Sequence, residues 1–276
     1  MILWTRREAA LAIGALVSFS GSNDVLLQVE TEKTALLLGG FLLPSTAYEA
    51  FQEPLAKLGY SVDILAYNEL LQKNDASSSE HIPIEALSKS PSLLLGHSKG
   101  AKTIAEWMPY WTTESSINSK SHNTKPTSAR HDSVPAVVLI EPVDVVPPGA
   151  PSYSVLEEDW SSNLRSISQI PTLIVAASYT HTSSRYGKAK NLCAPPGRDA
   201  RAFYEMAMEA RVRYPKAAAP LKYVEFETLG HNDVVVTSSQ SASIGGCGNG
   251  PDRAKGAQRV TECIVDWLTH LDAADI

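Results

Sequence analysis

The stretch SPSLLLGHSKGAKTIAEWM, residues 90–108, decides the reading of this chain. Its apolar run stops at Gly-His-Ser-Lys-Gly and resumes with the spacing of a helix over 99–108. A buried strand that ends in a serine between two glycines has a mechanical explanation. The turn from strand to helix is so tight that the serine takes strained backbone angles, and side chains on its neighbours would clash. Gly96 and Gly100 remove those clashes. Ser98 Oγ then stands clear at the carboxyl end of the strand, over a helix N-terminus whose field favours negative charge. The backbone N–H of Lys99 points to where an oxyanion would form. Ser98 is therefore the expected nucleophile and Lys99 an expected oxyanion donor.

The surroundings have the required type. Apolar runs recur at 34–40, 60–67, 92–96, 136–140, 171–178 and 221–227, with helical patterns between them. The shorter runs are apolar on both parities, as strands covered by helices on both faces must be. Thr46 and Glu49 have the spacing of a capping box for a helix over 47–58, with Pro54 as a kink. Further helices are expected at 99–108, 199–213 and 255–271. A G-x-S-x-G set strand-to-helix in such an alternation is the nucleophile elbow of the α/β-hydrolase fold. The expected architecture is a mostly parallel central sheet with helices on both faces and a small cap.

Chain order in this fold runs Ser, acid, His, which narrows the partners. Of the seven histidines, His231 alone lies in the loop that follows the last apolar run, in YVEFETLGHND, and it is the expected general base. His81 precedes the elbow, His122 and His131 lie in a polar stretch, and His270 falls near the end of the last helix. His181 follows LIVAAS in a loop that suits a solvated histidine. His97 alternates away from the active face and is expected to pack near the sheet. A second oxyanion donor should come from the loop after the first strand, LLLGGFLLP, where Gly39 and Gly40 let the backbone approach and the N–H of Phe41 is the candidate. The acid is less determined. The loop after LIVAAS has no carboxylate, but one strand earlier AVVLIEPVDVVPPG offers Glu141 and, three residues on, Asp144. Either could orient His231 and stabilise its imidazolium.

With 276 residues, 43% of them hydrophobic, the chain suits one large α/β domain. The net charge of −6 and the lack of any Lys/Arg stripe argue against a nucleic-acid partner. The three cysteines, Cys193, Cys247 and Cys263, show neither metal-ligand spacing nor a disulfide framework. Residues 1–30 differ from the rest: Arg6 and Arg7 precede an apolar segment from Ala9 to Phe19, too short to span a bilayer. This resembles a twin-arginine or thylakoid-lumen targeting signal, the other reading being an amphipathic helix. The division expected is a targeting segment at 1–30 and a hydrolase domain at 31–276 carrying a polar insertion at 112–133. The Gly/Ser-rich stretch 237–255 is not a dinucleotide fingerprint, because no strand leads directly into GGCGNG and no helix opens from it.

The ordered motifs resemble those of chlorophyllase, the plant and algal esterase that removes phytol from chlorophyll. LLLGGF is similar to the family's LHGF loop, GHSKGA to its GHSRGG elbow, IEPVD to its DPVDG stretch and LCAPPG to its CAP-x-G segment. LGHNDVV followed by CGNGPDRAKGAQR resembles its histidine loop and Cys- and Arg-containing tail. The resemblance spans most of 34–271 and implies Ser98 as nucleophile, His231 as base and Glu141 as acid, with Asp144 the alternative. It also implies ester chemistry without metal or organic cofactor, a lipophilic pigment ester as substrate, peripheral membrane contact, and a chloroplast location, thylakoid-associated or lumenal. The targeting segment alone would equally suit secretion. Three positions depart from the family: Gly39 replaces a histidine, Glu141 an aspartate and Ala101 the final elbow glycine.

Three functions follow as expectations. The first is cleavage of the phytyl ester of chlorophyll to chlorophyllide and phytol. The second is a lipase or esterase of the same mechanism for other lipophilic esters. The third is a non-catalytic binding protein that kept the fold. The short interval before Pro171 leaves room only for a small Pro-rich cap, expected from Pro147, Pro148, Pro151 and Trp160.

Overall fold

Successive side chains of a strand point to opposite faces, so each apolar run in this sequence supplies two layers at once. The structure, a computed structural model, describes residues 33–40, 43–66, 91–110, 135–144, 154–179, 197–236, 248 and 250–274. Six strands form the sheet: β1 (Lys33–Leu38), β2 (Tyr60–Leu65), β3 (Leu93–His97), β4 (Ala136–Ile140), β5 (Thr172–Ala177) and β6 (Leu221–Phe226). All neighbours pair in parallel, in the order β2-β1-β3-β4-β5-β6.

Leu37, Leu95, Val138 and Val175 face a layer made by a 3-10 segment (Ser45–Phe51), α1 (Gln52–Lys57) and α5 (Gly256–Ala274). Leu36, Leu94, Leu139 and Ile174 face α2 (Lys99–Trp107), α3 (Leu164–Ser168) and α4 (Ala200–Arg213). The central strands β3, β4 and β5 are buried throughout. A parallel sheet with both faces covered and a strand-to-helix serine elbow is the α/β-hydrolase fold.

The topology decides where chemistry can sit. From β1 the chain crosses to β2 on one side and then returns to β3 on the other. The carboxyl ends of β1 and β3 therefore flank a switch point, where an open crevice forms. Ser98 follows β3 at that point, with φ 53° and ψ −115°. Its neighbours have no room for side chains. A Cβ on Gly96 would lie 2.5 Å from Ala101 Cα, and one on Gly100 would lie 2.3 Å from the Leu38 carbonyl oxygen. Ala101 is fully buried in that contact.

Two expectations are corrected. Thr46 and Glu49 form no capping box: the helical stretch begins as a 3-10 turn at Ser45 with Pro44 as its extended N-cap, so Thr46 is already inside it. The α-helix proper starts only at Gln52, which puts Pro54 in its first turn, where no intrahelical donor is needed. Trp160 is no part of a cap roof. It ends a π-helical turn (Val155–Trp160), is fully buried, donates Nε1–H to the Ala105 carbonyl at 2.7 Å and meets Phe203 edge-on. The targeting segment 1–30, the insertion 112–133 and Pro147, Pro148 and Pro151 lie outside the described residues, as do Cys193 and Cys247. Cys263 is a half-buried free thiol.

The elbow yields a stability test. Gly100→Ala pushes a methyl group into main chain that no rotamer change relieves, and should cost at least about 3 kcal/mol. Gly59→Ala meets open space at φ +85° and should cost only the left-handed backbone penalty, about 1–2 kcal/mol. Urea midpoints of the two variants check the ranking.

Candidate active site

Strand register sets two of the site residues side by side. His97 pairs with Ile140, so the next residues, Ser98 and Glu141, leave neighbouring strands at the same level. Ser98 N–H donates to the Ile140 carbonyl at 2.9 Å and Glu141 N–H to the Val175 carbonyl at 2.8 Å. His231 arrives from the turn after β6. Tyr179 N–H holds that turn through the Leu229 carbonyl at 3.0 Å, and the buried Asp233 Oδ2 accepts the N–H groups of Gly230 (2.8 Å) and Gly250 (2.6 Å). Arg259 on α5 ties the same turn down by donating to Thr228 Oγ1 at 3.0 Å and Asp252 Oδ2 at 2.8 Å.

The three side chains meet. His231 Nε2 lies 2.9 Å from Ser98 Oγ, and His231 Nδ1 lies 2.9 Å from Glu141 Oε2. A carboxylate only accepts, so Nδ1 carries the proton and Nε2 is free to take one from the serine hydroxyl. Glu141 Oε1 accepts the Ala177 N–H, so both carboxylate oxygens are engaged. Glu141 and His231 are 2% and 5% exposed, while Ser98 stays partly exposed at the edge of the sheet. Water is thereby kept from the ionic end of the array and admitted at the nucleophile.

Backbone strain points to the same residues. Among the described non-glycine residues, positive φ occurs at Ser98 (53°) and Glu141 (47°). Such conformations cost about 1–3 kcal/mol each and persist only where the surroundings over-determine them. Each of the two residues leaves a buried strand by a sharp turn that aims its side chain at His231.

Asp144, the alternative acid, is engaged elsewhere. It is fully buried, and its Oδ1 accepts from Lys102 Nζ at 2.9 Å and Val155 N–H at 3.1 Å. Its Oδ2 accepts from Ser154 Oγ at 2.6 Å and Leu156 N–H at 3.3 Å. Burial alone would raise its pKa, but the Ser154 and Lys102 bonds hold the carboxyl below its ordinary value. Asp144 anchors the start of the π-helical turn and neutralises Lys102, which is 3% exposed.

Of the two expected oxyanion donors, Lys99 is the first residue of α2, directly after Ser98, as the elbow requires. Phe41 lies outside the described residues. Gly40 is described, and its N–H is committed to Tyr48 Oη at 2.6 Å. A Cβ on Gly40 would come within 2.9 Å of His97 Nδ1 and 3.1 Å of Ser98 Cβ, so the glycine loop lies directly against the nucleophile. Asp233 was not singled out from sequence, although its place two residues after His231 was a usable signal. His97 does pack beside the sheet, but it also meets the Ser98–His231–Glu141 line: its ring centroid is 5.1 Å from that of His231. Among the described residues no group of three or more His, Cys, Asp or Glu side chains could hold a metal ion, and no helix is long and apolar enough to cross a membrane.

No protein-family model matches the chain, and no curated protein matches it. Solved structures do. A carboxylesterase from Lactobacillus plantarum superimposes with TM-score 0.46 at 14% identity, covering 87% of this chain and 88% of that one. An esterase domain of a Rhodothermus marinus protein gives TM-score 0.42 at 14% identity over the same shares, 87% and 88%. An uncharacterised Bacillus cereus protein gives 0.48 at 9% identity, covering 96% of this chain and 66% of that one, so this chain spans less than two thirds of its length.

The two carboxylates should respond differently to amidation. Glu141→Gln removes the charge and acceptor that fix His231, and should lower kcat about 10²- to 10⁴-fold with KM little altered. Asp144→Asn breaks the buried ion pair with Lys102, which also lies in the field of Asp159, and should destabilise the fold by about 3–5 kcal/mol. Below its melting temperature that variant should keep kcat within about tenfold. Paired kinetics and thermal melts separate the two effects.

Proposed function

We propose that this protein is a serine carboxylester hydrolase in which Ser98 is the nucleophile, His231 the general base and Glu141 the orienting carboxylate. One observation carries the reading: Ser98 Oγ, both ring nitrogens of His231 and Glu141 Oε2 form an unbroken line of contacts, each 2.9 Å long. His231 Nε2 takes the Ser98 proton as Oγ attacks the ester carbonyl. The imidazolium that forms donates Nδ1–H to Glu141, which stays ionised. The tetrahedral oxyanion is received by the Lys99 N–H at the start of α2, with Phe41 N–H as the second donor expected from sequence. Nε2–H then protonates the departing alcohol, and water repeats the sequence on the acyl-enzyme to release the acid.

The finer substrate is the phytyl ester of chlorophyll, giving chlorophyllide and phytol. Support for it comes from the ordered motifs around Gly40, Ser98, Glu141, His231 and the 247–259 tail. The tail is hydrogen-bonded to the histidine turn through Asp233–Gly250 and Thr228–Asp252–Arg259. A plastid location with thylakoid contact, and a peripheral encounter with the membrane that holds the substrate, belong to the same reading. The unbroken Ser98–His231–Glu141 line speaks against a non-catalytic binding protein.

Purified protein should be incubated separately with chlorophyll, a phytyl-free methyl ester, a triacylglycerol and a short-chain nitrophenyl ester. Chlorophyllide and phytol should appear without added metal or nucleotide, and Ser98→Ala should abolish all turnover by several orders of magnitude. Triacylglycerol turnover without chlorophyllide would move the substrate to other lipophilic esters and leave the mechanism standing. No turnover of any ester by folded protein would overturn both.

A further inference from the structure

Behind the triad lies a second hydrogen-bonded line, and its donors and acceptors can be assigned completely. His97 Nε2 is 3.1 Å from the main-chain carbonyl of His231, and a carbonyl oxygen only accepts, so Nε2 carries a proton. Burial, reinforced by the nearby His231 ring, pushes His97 down to about 3, so at ordinary pH its imidazole is neutral. Its Nδ1 is therefore bare and accepts, and the partner 3.0 Å away is the Tyr48 hydroxyl. Burial raises Tyr48 well above its ordinary value, so the phenol keeps its proton and donates it. The Tyr48 oxygen in turn accepts Gly40 N–H at 2.6 Å. Tyr48 and His97 are 0% and 1% exposed, so water does not compete for these bonds.

The ends of this line are the two parts of the site the chemistry needs held in register. One is the glycine loop that lies against Ser98. The other is the main chain of the general base. We infer that Tyr48 and His97 are positioning residues for the hydrolysis proposed above, fixing the glycine loop and the backbone of His231 to each other through an Nε2-protonated imidazole and a tyrosine hydroxyl. The inference rests on that reading of the site. Neither residue needs to touch substrate. Losing the line lets the glycine loop and His231 drift apart, and misplacement of about 1 Å at a reacting centre can cost 10²-fold.

Tyr48→Phe deletes one hydroxyl, His97→Leu removes both ring nitrogens, and His97→Gln keeps a side-chain N–H near the Nε2 position. Kinetics on a nitrophenyl ester should show kcat lowered about ten- to hundredfold in Tyr48→Phe and His97→Leu, with KM within about twofold. His97→Gln should recover part of the loss at equal urea midpoint, which a purely structural role would not produce. ¹⁵N NMR of the histidine rings should show His97 protonated at Nε2, bare at Nδ1, and unchanged between about pH 5 and 9. If His97→Leu fails to fold, Tyr48→Phe carries the kinetic test. Wild-type activity with kcat unchanged in folded Tyr48→Phe would overturn the inference and leave the triad intact. A proton on His97 Nδ1 would do the same. Inactive wild-type protein would overturn the triad reading and this inference together.

Discussion

The turn from β3 into α2 has no space for a side chain on either flank of Ser98, and the chemistry is built around that constraint. Gly96 is closed in by Ala101 of the same turn, and Gly100 by the carbonyl of Leu38 at the end of β1. The second contact matters most. It locks the start of α2 against the strand that leads into the glycine loop. A single steric condition thus fixes Ser98, the helix N-terminus behind it and the glycine loop beside it.

The histidine and the acid are then brought to a point already defined. Register alone sets Glu141 next to Ser98, because β3 and β4 end level with one another. His231 comes from further away, and its turn is correspondingly tethered by Asp233, Gly250, Asp252 and Arg259. Gly256 belongs to the same packing, since a Cβ there would lie 1.9 Å from the Asp233 carbonyl oxygen. The first turn of α5 and the histidine turn are in effect one unit. Three polar groups buried beneath the site are in service: Asp144 to Lys102 and the π-helical turn, His97 and Tyr48 to the backbone of His231 and Gly40.

Much of this was legible in the sequence, for identifiable reasons. Strands buried on both faces read as continuous apolar runs, and all six predicted runs form strands, that at 136–140 with the same limits. The meeting of Ser98 and His231 was legible because the elbow has its own sequence signature and the fold has a fixed chain order. The choice between Glu141 and Asp144 was not settled by the chain itself. What separates them is Lys102 and residues 154–156, partners too distant in sequence to register as a local pattern. The capping-box spacing failed because Pro44 starts the helical turn two residues early. Trp160 looked like cap material beside prolines, yet its indole N–H finds a carbonyl on α2 and its ring joins the core. The Tyr48–His97 contact joins residues on separate elements, and no spacing rule reaches across that gap.

The central claim is that Ser98 is activated by a buried His231–Glu141 pair, and covalent trapping tests it most directly. A fluorophosphonate reacts at useful rates only with a serine whose proton is being removed, and it leaves a stable adduct whose position peptide mass spectrometry reports. The account predicts one adduct per chain, on the peptide containing Ser98, with labelling lost in His231→Ala protein that remains folded. An adduct on another serine, or labelling of Ser98 that survives the loss of His231, would contradict it.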